Sequence, residues 1–143
     1  MAAILVLEDG RLFRASSMGA QGMLLLASRE IDDKHSRLRK WLADKARRSA
    51  PYQDFDLRGL HENHRAEFWD ACARALSLLE KKYGAIADLQ ENHWAAHTLA
   101  RLIEVHRSIE AGELPSATDD LNPIRPFDGC TEDLDDVWGP DET

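Results

Sequence analysis

The sequence predicts a mainly helical α+β protein, in which an N-terminal β-hairpin packs on a bundle of three main helices. Two short apolar runs flank an Asp-Gly pair near the N-terminus, and three longer stretches carry apolar residues at helical spacing. A chain of 143 residues with 43% hydrophobic residues fits a single globular domain. We expect this domain to span residues 1–112 and an irregular, proline-containing acidic segment to follow over residues 113–143.

The hairpin is predicted over residues 3–15. Asp9-Gly10 suits a tight type I′ turn, because both central positions of that turn need a positive φ. Residues 18–22 are predicted as a loop, and Met23–Ala27 as a third strand or the lead into a helix. Because an isolated hairpin is unstable in water, it must pack on the helices, gain this third strand, or pair with a second subunit in a homodimer.

The three main helices are predicted at about residues 31–48, 60–83 and 88–111. In the first helix the cations are expected on the face opposite the apolar stripe, and residues 32–48 carry a net charge of +4. Gly84 suits the left-handed residue that ends the second helix, and Asp88 with Glu91 has the spacing of a capping box for the third. The short connection between the last two helices predicts that they pack antiparallel.

The net charge of −8 is confined to the C-terminal segment. Residues 113–143 hold ten acidic residues and one cation, Arg125, which gives −9 and leaves +1 for residues 1–112. Clustered carboxylates steer cationic partners toward a protein, whereas nucleic-acid binding needs clustered cations. We therefore expect a protein-interaction module that binds a basic partner protein, as an immunity protein, an antitoxin or an adaptor would.

The residues expected to contact this partner are seven carboxylates and a tryptophan of the acidic segment. They are Asp119, Asp120, Asp128, Glu132, Asp133, Asp135, Asp136 and Trp138. The segment also contains scattered apolar residues, which a fully disordered acidic chain would largely lack. We therefore expect its part around residues 121–127 to lie on the body in extended form. The acidic surface is predicted to meet either a partner or the basic helix at 31–48.

Histidines provide the alternative hypothesis of a metal-binding helical protein. Antiparallel packing of the last two helices would bring His61 and His64 level with His106, and three imidazoles can bind zinc or another divalent metal. The competing interpretation is that these are boundary histidines with ordinary hydrogen bonds. His93 and His97 stand one helical turn apart on a polar face, where we expect an exposed or interfacial pair.

The remaining sequence features favour a soluble, cytoplasmic binding protein over an enzyme. No apolar run approaches the roughly 18 residues of a membrane span, and the N-terminus lacks the pattern of a secretory signal. The two cysteines, Cys72 and Cys130, are too few for a disulfide framework. Because the sequence has no glycine-rich phosphate loop, nucleophile elbow or spaced cysteine pair, it predicts no catalytic residue and no required cofactor.

Overall fold

The structure is a computed structural model that describes residues 2–7, 12–47, 54–57, 60–90, 92–112 and 121–122. This part of the chain is mainly helical, as predicted. Its helices are α1 (Ser17–Arg29), α2 (Ser36–Arg47), α3 (Glu62–Tyr83) and α4 (Trp94–Glu110). Its strands are β1 (Ala2–Val6), β2 (Leu12–Ser16), β3 (Asp54–Asp56) and β4 (Leu121–Asn122). Short 3-10 helices at Asp33–His35 and Ile86–Asp88 precede α2 and α4.

The predicted hairpin is confirmed as a strand pair. β1 and β2 are antiparallel, with Val6 opposite Leu12, and the buried side chains of Leu5 and Phe13 face each other in register. The predicted turn at Asp9-Gly10 lies outside the described residues. β3 adds to β1 in parallel and β4 adds to β2 antiparallel, so the strand order is β3-β1-β2-β4. Each strand of the hairpin therefore has a further strand at its outer edge, and a homodimer, one of the three predicted ways to stabilise the hairpin, stays a prediction.

The stretch predicted as a loop at residues 18–22, and as a third strand or the lead into a helix at Met23–Ala27, is a single helix, α1. Ser16 caps it, since the Ser16 hydroxyl oxygen accepts a hydrogen bond from the Gly19 N–H at 3.0 Å. The buried residues of α1 recur at helical spacing, and they are Ala20, Met23, Leu24, Ala27 and Ser28. Of the two alternatives predicted for Met23–Ala27, the helix is therefore confirmed and the third strand is not, and the described residues form four helices rather than three.

Helix α1 packs against each of the other three helices. Its contact with α4 is close enough to need glycine at two positions. A Cβ atom on Gly19 would lie 2.4 Å from the Thr98 Oγ1, and one on Gly22 would lie 2.5 Å from the Ala95 Cβ. Real Cβ atoms do not approach other atoms this closely, so the two glycines set the separation of α1 and α4.

The end of α3 agrees with the sequence prediction, whereas the start of α4 does not. Gly84 ends α3 with φ of 84°, as predicted for a left-handed residue. α4 begins at Trp94 and not at Asp88, because Ile86 is buried in the 3-10 helix and the chain turns extended at Leu89. Among the described residues, none of the helices has both the length and the apolar character needed to cross a bilayer.

The cations of α2 do not all lie on its outer face. Arg37 and Lys45 are buried, at 5% and 8% exposure, beside a core stripe that includes Trp41. The Lys45 Nζ lies 5.4 Å from the centroid of the Trp41 ring, within reach of a cation–π contact. The predicted division of this helix into an apolar and a cationic face was therefore wrong for these two residues.

We expect the substitution Gly22→Ala to lower the free energy of unfolding by about 1–3 kcal/mol, because α1 and α4 would have to move apart. In a helix without that contact, replacing glycine by alanine would raise the free energy of unfolding by up to about 1 kcal/mol. Urea unfolding followed by circular dichroism measures the difference.

The control is the double variant Gly22→Ala with Ala95→Gly, which removes the clashing Cβ atom from the partner helix. It should be more stable than the sum of the two single changes predicts. Additive effects would contradict a direct clash between these two positions.

Candidate functional site

Three histidines, which we call the histidine cluster, meet where α3 begins. They are His35, at the end of the 3-10 helix before α2, His61, just before α3, and His64, in its first turn. The ring centroids of His35 and His64 lie 5.7 Å apart and those of His61 and His64 lie 6.1 Å apart, both edge to face. His64 is buried and His61 is exposed, so the cluster leads from the surface into the body.

A glutamate and an arginine of α3 continue this polar cluster. The Oε2 of Glu67 lies 3.8 Å from the His35 Nε2, and the Arg74 guanidinium donates to the other oxygen of Glu67. Arg74 also donates from Nε at 3.2 Å and from Nη2 at 2.6 Å to the backbone oxygen of Glu30. Since Glu30 ends α1, this one arginine joins the C-terminus of α1 to α3 and orients the Glu67 carboxylate.

His106, the third predicted metal ligand, contacts Trp69 and Glu110. Its ring stacks on the indole of Trp69, with centroids 3.7 Å apart and planes 10° from parallel. Its Nε2 lies 3.0 Å from the Glu110 Oε1. The stack forms one wall of a groove of about 320 Å³ between α3 and α4, which Asp70 and Arg107 also line. The packing of α3 against α4 therefore places the His106 ring on Trp69.

The predicted metal ligands are thus divided between two places. His61 and His64 are neighbours, whereas His106 contacts Trp69 and Glu110. In the part of the chain that the structure describes, no three His, Cys, Asp or Glu side chains are arranged to hold a metal ion. His35, which the sequence did not single out, completes the histidine cluster. The metal site at His61, His64 and His106 stays a prediction.

The predicted partner-binding residues lie outside the described residues. This applies to Asp119, Asp120, Asp128, Glu132, Asp133, Asp135, Asp136 and Trp138. The structure does describe two residues between them, Leu121 and Asn122, which form β4 beside β2. The acidic segment therefore meets the sheet at β4.

The other singled-out residues have structural neighbours. A ring nitrogen of His97 lies 3.0 Å from the backbone oxygen of Gln90, and the His93 ring packs edge to face with Tyr83. Cys72 is fully buried, and burial raises the pKa of its thiol far above the ordinary value. A buried neutral thiol suits a core residue and not a nucleophile.

An apolar groove, which the sequence did not predict, opens where α1, α3 and α4 meet. It has a volume of about 270 Å³, and its apolar walls are Met18, Leu26, Leu79, Tyr83 and Trp94. Met18 belongs to the stretch predicted as a loop, and Trp94 begins α4 six residues after the predicted start. Without α1 in the prediction, the groove could not be foreseen.

Comparisons with protein-family models, with curated proteins and with solved structures find no match for this chain.

We expect Arg74→Met to lower the free energy of unfolding by about 1–2 kcal/mol, because the Glu30 oxygen and the Glu67 carboxylate lose their shared donor. The estimate allows for the partial exposure of Arg74. Chemical denaturation measures the change. The matched control is Lys81→Met on the same helix, which is exposed and should change stability little. Equal losses in the two variants would contradict a bridging role for Arg74.

Proposed function

We propose that the protein is a small interaction module that binds a basic partner protein through its acidic segment, residues 113–143. The observation that carries this proposal is the partition of charge. The segment holds a net charge of −9, and residues 1–112 hold +1. Charge gathered at one end of a chain steers an oppositely charged partner more effectively than the same charge spread evenly.

The position of β4 supports this proposal. Leu121 pairs with Phe13 and Asn122 with Leu12, so two residues inside the acidic segment are fixed to the sheet. Asp119 and Asp120 come directly before this strand in the chain, and Asp128 follows six residues after it. A segment held at one internal point loses less conformational entropy on binding than a free tail of the same length.

The burial of Arg37 and Lys45 supports it further. A partner must compete with the protein's own cations for the carboxylates of the segment. Seven cations lie in residues 32–48, and these two are withdrawn from the surface. The α2 face is therefore less basic than its sequence indicates, which favours a partner over the protein's own helix as the target of the acidic segment.

We expect neutralising three carboxylates, Asp133→Asn, Asp135→Asn and Asp136→Asn, to weaken partner binding about tenfold or more at low salt. The experiment immobilises the intact chain and the variant, and identifies proteins that only the intact chain retains. A retained protein is then purified, and its Kd is measured as a function of salt concentration. Binding should weaken with salt for the intact chain and depend less on salt for the variant.

The control variant neutralises three exposed carboxylates of the described body, Glu62→Gln, Glu80→Gln and Asp88→Asn. It carries the same net charge as the first variant. A difference in partner binding between the two variants therefore reports where the carboxylates lie and not the total charge. Partner binding that weakens equally in both variants, or that does not respond to salt, would contradict the proposal.

A metal-binding function is the second candidate, and the nearness of His61 to His64 favours it. If it holds, purified protein should contain a stoichiometric divalent metal, or added Zn²⁺ should raise its Tm by several degrees. His61→Ala removes an exposed ligand and should abolish both the metal content and the Tm shift with Zn²⁺. His97→Ala should retain them. Absence of both the metal and the shift, or equal shifts in the two variants, would remove this candidate.

A further inference from the structure

Exposed apolar side chains are concentrated at the apolar groove. Among the described residues, four large hydrophobic side chains are strongly exposed, namely Met18 at 61%, Leu78 at 51%, Trp94 at 47% and Tyr83 at 45%. Three of these four line the groove, and Leu78 does not. A contiguous patch of this kind marks an interaction surface more often than scattered exposed residues do.

We propose that residues 134–138 of the same chain dock in the apolar groove. This stretch, Leu134-Asp135-Asp136-Val137-Trp138, lies outside the described residues. Its apolar residues are spaced three and four apart, so one helical turn would present Leu134, Val137 and Trp138 together. The carboxylates of Asp135 and Asp136 would then point away from the groove. The inference rests on the proposed function, since docking would present these carboxylates to a basic partner.

The chain between β4 and this stretch is long enough to reach the groove. Leu121 pairs with Phe13, and Met18 follows Phe13 by five positions along the chain. Leu121 therefore lies within about 22 Å of the Met18 backbone, counting the extended reach and one strand spacing. The twelve residues from 123 to 134 can span about 40 Å. The docked arrangement therefore needs no change in the described fold.

The charge beside the groove suits an acidic occupant. The last turn of α3 carries Lys81 and Lys82 against a single carboxylate, Glu80, and it ends beside Tyr83 of the groove. The Lys82 Nζ lies 5.2 Å from the centroid of the Tyr83 ring. Glu132 and Asp133, which come directly before Leu134, would meet this positive rim.

The covalent connection favours the protein's own segment over a separate occupant. Covalent attachment within one chain can place a segment at an effective concentration in the millimolar range. A second copy of the chain, or a segment of another protein that makes the same contacts, would have to be present at a millimolar concentration in solution to occupy the groove equally well. The apolar face, the two lysines of the last turn of α3 and the tether therefore point to the same occupant.

Disulfide trapping tests the docking in the intact chain. The pair Met18→Cys with Val137→Cys is introduced in a Cys130→Ser background, where the native Cys72 is fully buried. The control pair is Leu78→Cys with Val137→Cys, whose first position is equally exposed but lies outside the groove lining. In a glutathione buffer we expect the intramolecular disulfide to form at least about fivefold faster in the first pair, because docking raises the local concentration.

Adding Trp94→Ala to the first pair should slow its disulfide to the rate of the control. Trp94 is exposed, so the fold can be checked by circular dichroism. Equal rates in the two pairs would overturn the docking, and a disulfide-linked dimer of the first pair would assign the groove to a second copy. The trapping experiment contains no partner protein, so it tests docking alone. Docking can fail while the proposed partner binding holds, and partner binding can fail while docking holds.

Discussion

The close contact between α1 and α4 is the constraint on which the rest of the fold depends. Because Gly19 and Gly22 have no side chains, the two helices approach until Thr98 and Ala95 touch the α1 backbone. From this position α1 also reaches α2 and α3, and its end at Glu30 accepts the hydrogen bonds of Arg74. The position of α1 therefore determines how Glu67 is oriented beside the histidine cluster. It also determines the walls of the apolar groove.

The sequence was informative where a pattern was long and uninterrupted. It predicted the hairpin, the end of α3 at Gly84, and most of α2 and α4, because each has a clear turn residue or several turns of apolar periodicity. It missed the first half of α1, and left the second half open between strand and helix, because glycine costs about 1 kcal/mol in a helix and therefore indicates a loop. In α1 the tight packing against α4 outweighs this cost. β3, with only three residues, Asp54-Phe55-Asp56, has too little pattern to be predicted.

The candidate sites show the same division between local and distant information. Helical spacing correctly brought His61 and His64 together, since both lie at the start of one helix. It could not show that His35 of another segment joins them, or that the His106 ring stacks on Trp69. The burial of Arg37 and Lys45 was equally hidden, because a long cationic side chain can be covered by neighbours that sequence spacing does not reveal.

The strand order has a consequence for how the protein is made. Phe13 of β2 pairs with Leu121 of β4, 108 residues later in the chain. At typical rates of translation, roughly 5–20 s pass between the synthesis of these two residues. During that interval β2 has an unpaired edge, which is the kind of surface on which nascent chains aggregate. β4 is therefore the last of the described strands to be synthesised, and the acidic residues next to it in the chain are made at the moment when the β2 edge can first be covered.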